Sequence, residues 1–158
     1  MATSLTVRAA EPVGNELRID LGELRNTRGK VHACLTKDRA YFPNCKADAN
    51  ALRVTVGASE AGELRFASVP IGSYALSIIH DENGNGKLDT FARVPREGYG
   101  FSRNPPMRFG PPRFDDVRFD LVSGRNRQGV WVEDVTTATW RWRRQGPAGV
   151  LASSRGAP

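Results

Sequence analysis

At 158 residues, with 39% apolar and 25% charged side chains, the chain is long enough to bury a core as one domain of ordinary soluble composition. No stretch approaches the roughly 20 consecutive apolar residues of a membrane helix, so no transmembrane segment is expected. The net charge of +6 is unevenly placed: from Ser123 onward six arginines face two acids, net +4, which leaves +2 for residues 1–122. A basic tail on a nearly neutral body makes nucleic acid an unlikely partner, because such proteins carry the basic face on the folded domain.

Residues 1–15 form a mixed N-terminal segment ending in the turn signal Pro12-Val13-Gly14-Asn15. Residues 1–7 have no basic start and no apolar h-region, so the chain is expected to be cytoplasmic or a mature form without a leader. Leu17, Ile19 and Leu21 alternate with Glu16, Arg18 and Asp20, the period of a strand with one wet face. A short polar link leads to Val31, Ala33 and Leu35, alternating with His32, Cys34 and Thr36, and the two strands are expected to form a hairpin.

Cys34 and Cys45 are the two cysteines, and they are not in a C-x-x-C pair. Zinc and thioredoxin chemistry are therefore disfavoured. Their short spacing fits one disulfide closing a small loop, which implies an oxidising compartment; two free thiols are the alternative. Leu52, Val54 and Val56 give another strand, and Leu64 and Phe66 a further one. Val69-Pro70-Ile71-Gly72 breaks the pattern before Tyr74, Leu76, Ile78 and His80 share one face of a longer strand.

That strand runs into Asp81-Glu82-Asn83-Gly84-Asn85-Gly86-Lys87-Leu88-Asp89. Oxygen-bearing side chains fall at positions 1, 3, 5 and 9, with glycine at 6, as in calcium loops of the D-x-[DN]-x-[DN]-G type. Asp81, Asn83, Asn85, the Lys87 carbonyl and Asp89 are the expected ligands of Ca²⁺. Position 12 is Ala92 and not a bidentate acid, and a strand leads in, so this is no EF-hand. Weak affinity, of roughly 10⁻⁴–10⁻³ M, is expected if calcium binds. Asn-Gly dipeptides also make tight turns, and a metal-free turn stays open.

Residues 91–113 are rich in Gly, Pro and aromatics and read as one long loop, with Tyr99, Phe101, Ser102 and Phe109 as candidate ligand or partner contacts. Val117, Phe119 and Leu121 alternate as a strand, Ser123 to Gln128 read as a link, and Val130-Trp131-Val132 as a last strand. Repeated short strands with no long 3.6-residue stripe give an all-β fold: an antiparallel β-sandwich, immunoglobulin-like or transthyretin-like, of about seven to eight strands. Its expected extent is residues 16–135. Residues 136–158 form a basic tail expected to be disordered.

Val69-Pro70-Ile71-Gly72-Ser73-Tyr74, the 81–89 loop, Pro95-Arg96-Glu97-Gly98-Tyr99-Gly100-Phe101-Ser102 and Phe109-Gly110-Pro111-Pro112-Arg113-Phe114-Asp115-Asp116 together resemble the bacterial family catalogued as domain of unknown function 2141. The resemblance covers about residues 17–135. The Pro-x-Gly-x-Tyr turn also resembles that of transthyretin-like and carboxypeptidase-regulatory-like sandwiches. The resemblance implies a secreted or periplasmic sandwich and no particular activity.

No G-x-S-x-G elbow or H-E-x-x-H helix is present. Asp115-Asp116 and Glu133-Asp134 are sequence neighbours, which on a strand face opposite ways. The expected function is therefore non-enzymatic: an extracytoplasmic module binding calcium in the 81–89 loop and a protein, peptide or glycan at its loop end. The alternative is attachment to a membrane surface or nucleic acid through Trp131, Trp140 and Trp142 with the arginines between and after them.

Overall fold

The apolar alternation becomes two stacked sheets. The computed structural model describes residues 14–22, 24–91, 94–106 and 110–133; Phe109, Trp140, Trp142 and the rest of the tail lie outside them. The strands are β1 (Glu16–Leu21), β2 (Lys30–Thr36), β3 (Leu52–Gly57), β4 (Glu63–Phe66), β5 (Gly72–Asp81), β6 (Thr90–Phe91), β7 (Val94–Pro95), β8 (Gly98–Phe101), β9 (Phe119–Leu121) and β10 (Arg125–Val130). A 3₁₀ turn at Ala58–Glu60 and the single-turn helix α1 (Phe114–Val117) complete the described elements.

One sheet has the order β10-β1-β4, and the other β3-β2-β5-β8 with β9 also on β5; β6 and β7 make a small ribbon. Leu17, Ile19, Leu64, Phe66 and Val130 from the first sheet pack against Val31, Ala33, Leu35, Leu76 and Ile78 from the second. Each fully buried aliphatic side chain of this kind contributes about 1.5–3 kcal/mol of hydrophobic stabilisation before entropy is counted. The all-β sandwich expected from the sequence is therefore present.

Its connections differ from the simplest reading in four places. β1 and β2 do not form a hairpin: β1 pairs with β10 and β4, while β2 pairs with β3 and β5. Alternation specifies which face of a strand is apolar but not which strand lies beside it, and here the two apolar faces meet across the core. The β1–β10 pairing is parallel, whereas every other pairing among the named strands is antiparallel. The segment 91–113 is not one loop, because β8 lies within it and pairs with β5 through Ser77–Phe101 to His80–Gly98. Finally, β10 occupies residues read as a link, and it ends at Val130 where the last strand was expected to begin.

β5 is buried on both faces. Tyr74, Leu76, Ile78 and His80 face the core as expected. On the outer face the cover is the 37–51 segment, fastened to β2 by the Cys34–Cys45 disulfide. Phe42 packs on Phe101 and Phe114 with ring centroids 5.6 and 6.1 Å away. The Ser77 hydroxyl donates to the Pro43 carbonyl at 2.6 Å, and the Thr36 hydroxyl to the buried Asp48 carboxylate at 2.5 Å.

The sheets are joined at one side by the chain leaving β10. Tyr99 and Glu133 exchange two backbone hydrogen bonds, of 2.9 and 2.7 Å. Asn104 holds the same stretch, donating to Gly129 O at 2.9 Å and accepting from Trp131 N at 2.7 Å. The approach is so close that a Cβ on Gly100 would sit 2.6 Å from the Trp131 carbonyl oxygen. Glycine is therefore the side chain β8 requires there.

Candidate calcium loop and adjoining groove

Asp81 ends β5 with its carboxylate buried. Oδ1 accepts hydrogen bonds from Gly84 N at 2.7 Å and Asn85 N at 3.1 Å. Oδ2 accepts from Gly86 N at 2.6 Å and from His32 Nε2 at 3.2 Å. His32 is itself oriented, since Thr55 Oγ1 lies 2.9 Å from Nδ1; a hydroxyl donating there leaves the Nε2 proton for Asp81. Gly84 and Gly86 both have φ of +75°, which lets the chain curl so that its amides point at the carboxylate. Burial pushes the Asp81 carboxyl up, but the Gly86 amide, His32 and the Gly84 and Asn85 amides together outweigh it and hold it below its ordinary value.

The outer half of the loop is tied to Asp89. Asn83 Nδ2 donates to Asp89 Oδ2 at 2.5 Å, and Asn85 Nδ2 to Oδ1 at 2.9 Å. The amide oxygens accept in turn from Asn85 N (3.0 Å) and Lys87 N (2.8 Å). A further acid clamps the base: buried Glu97 accepts from Glu82 N at 3.1 Å and Asp89 N at 3.0 Å.

Glu82 turns away from Asp81, toward the 24–28 turn, where Arg25, Asn26 and Arg28 donate to it. Burial opposes its ionisation, but Asn26 and Arg25 outweigh this and hold its pKa down. Between this turn and the loop runs a groove of about 400 Å³, lined by Arg25, Arg28 and Arg96 together with Asn83, Asp89 and Thr90.

The structure thus brings Asp81, Asn83, Asn85 and Asp89 into one turn. They are not equally suited to a cation. A carboxylate has about four lone-pair positions, and four donors already engage Asp81. Asp89, the two asparagine oxygens, the Lys87 carbonyl and water make the donor set that fits a calcium ion best. Among the described residues no group of three or more His, Cys, Asp and Glu is arranged to hold a metal.

The other candidate residues are placed differently. Tyr99 is half-buried on β8 beside Phe101, at a ring-centroid distance of 6.2 Å. Phe101 is buried under Phe42. Ser102 is fully buried: its Oγ accepts from Leu76 N at 3.1 Å and donates to Val117 O at 2.6 Å, joining β5 to the end of α1. Phe109 falls outside the described residues. His32, Glu97 and the three arginines were not singled out by sequence reasoning. Their roles depend on segments up to about 70 residues apart meeting, for which local pattern carries no signal.

The family model described as uncharacterized protein conserved in bacteria (DUF2141) matches residues 19–128. Neither a curated protein nor a solved structure matches the chain.

Proposed function

We propose, for a chain that belongs to the bacterial DUF2141 family, a non-enzymatic β-sandwich module of an oxidising extracytoplasmic compartment, which holds one calcium ion weakly in the 81–89 loop and binds its partner at that end. The observation that carries this reading is the convergence of four oxygen-bearing side chains in one nine-residue turn at the end of a strand buried on both faces. The loop base is fixed by Asp81 and Glu97, so the backbone of the loop is ordered before a cation arrives. Asn83 and Asn85 now aim their amide hydrogens at Asp89; rotating each amide by half a turn offers oxygens to an ion in the same space, in exchange for the hydrogen bonds those oxygens accept from Asn85 N and Lys87 N. The Cys34–Cys45 bond supports the compartment. No helix among the described residues is long and apolar enough to cross a membrane.

Three placements favour binding over catalysis. The His80 Nε2 proton is spent on the Arg28 carbonyl at 2.8 Å, His32 is held between Thr55 and Asp81, and the Ser102 hydroxyl is enclosed. None of these is offered to a substrate.

Calcium titration followed by thermal melting tests the metal part. With a Kd of about 1 mM, 10 mM calcium adds about 1.4 kcal/mol and raises Tm by a few degrees. Asn83→Ala with Asn85→Ala is expected to abolish the rise. A wild-type Tm that stays flat through 10 mM calcium would remove calcium from the reading and leave the binding module.

A further inference from the structure

We propose that the groove beside the loop binds a small hydroxylated oxyanion, a uronate or a sugar phosphate, gripped by Arg28 and Arg96. The site does not depend on calcium. It rests on the way the groove's charges are already committed.

Of the carboxylates along the groove, Glu82 is ion-paired with Arg25 and Arg28. Glu97 is turned onto two backbone amides, and Asp89 is held by the two asparagine amides. Among the described residues no carboxylate pairs with Arg96, an exposed residue of the groove lining. A guanidinium carries five N–H donors in a fixed fork. Glu82 engages only Nη2 of Arg25 and of Arg28, so most of their donors remain available. Arg25 Nη2 also donates to the Arg96 carbonyl at 3.2 Å, which ties the two arginine segments together. Glu82 thus acts as a hub that holds two like charges side by side, against the backbone of the segment that carries Arg96.

Such a cluster matches an oxyanion, because carboxylate and phosphate oxygens accept from guanidinium forks in pairs. The Thr90 hydroxyl, the Asn83 amide and the Asp89 carboxylate add groups that exchange hydrogen bonds with hydroxyls. A volume of about 400 Å³ lies at the small end of ligand clefts, which suits a single sugar unit. Arg28 is three-quarters exposed, so its removal leaves the core intact.

Calorimetric titration of the full chain in EDTA, with glucuronate, glucose 6-phosphate, glucose and inorganic phosphate, tests this. Saturable binding of at least one of the two sugar acids is expected, with none by glucose; which acid binds tells carboxylate from phosphate as the source. Arg28→Ala and Arg96→Ala should each weaken that binding about tenfold or more, the worth of a charge-assisted hydrogen bond. Arg103→Ala, a charge outside the groove, should leave it unchanged. Inorganic phosphate binding as tightly as glucose 6-phosphate would overturn the hydroxylated ligand. No saturable heat with either acid, or undiminished binding in the Arg28→Ala, Arg96→Ala double variant with an unchanged Tm, would overturn the site. Because EDTA removes calcium throughout, failure here leaves the metal reading standing, and the reverse holds.

Discussion

Asp81→Asn is expected to cost the fold roughly 3 kcal/mol, and to do so equally with calcium or with EDTA. An amide of the same shape has one acceptor oxygen in place of two. It therefore strands at least one of the Gly84, Asn85, Gly86 and His32 donors in a buried site, and it presents its own N–H₂ to groups that also donate. A buried donor left unpaired costs about 1–3 kcal/mol, and more where the lost partner was charged. Acid acts on the same contact. Asp81 and Glu82 have folded pKa values below their ordinary 3.8 and 4.5. Their contribution is therefore complete above about pH 4.5 and is lost as pH falls through the lower, folded values. Urea melts at pH 7 and pH 3 measure both effects. Wild type should lose stability on acidification and Asp81→Asn should lose less of it, one of the responsible carboxylates being gone. A variant as stable as wild type at pH 7 would show that the loop does not need its anchor.

The second large effect is expected from Cys34→Ala with Cys45→Ala. The bond closes a loop with a sequence separation of 11 residues, and its removal should cost about 3 kcal/mol from chain entropy. The loss extends beyond the loop itself. The 37–51 segment covers the outer face of β5, and once freed it uncovers Ala75, Phe101 and the Ser77 hydroxyl. Exposed apolar surface of that kind is detected by dye binding. We expect the double variant to melt well below wild type and to bind a hydrophobic dye before its global transition. Identical melting with no added dye binding would show that Phe42, the Thr36–Asp48 hydrogen bond and Arg53, which donates to the Cys45 and Asp48 carbonyls, hold the segment unaided.

Much of the sandwich could be read from the chain because burial on one face writes itself into alternate residues. Leu17 and Ile19, Val31 to Leu35, Leu64 and Phe66, and Phe119 and Leu121 all lie where period two placed them. β10 escaped because Arg125, Asn126, Arg127, Gln128 and Gly129 carry no apolar alternation. That strand is held by its ladder to β1 and by ion pairs such as Arg127 with Asp20. β8 escaped for the opposite reason: Gly98 and Gly100 are small so that another strand can press against them, and local composition then resembles a loop. The 81–89 turn was legible as a unit, since its ligand pattern is local. The arginine groove was not, because it exists only once residues 25–28 and 96 are brought to the same place.

The parallel pairing of β1 with β10 has a mechanical meaning. These are the first and last strands of the described domain, they are in register over six residue pairs, from Glu16–Arg125 to Leu21–Val130, and they run in the same direction. The chain therefore enters at one end of the ladder and leaves from the other. Tension applied through the two ends loads that ladder lengthwise, so its hydrogen bonds must yield together and not one at a time. A module strung between an anchor and a partner would resist pulling along the line on which it is tethered, and would open far more readily if pulled across it.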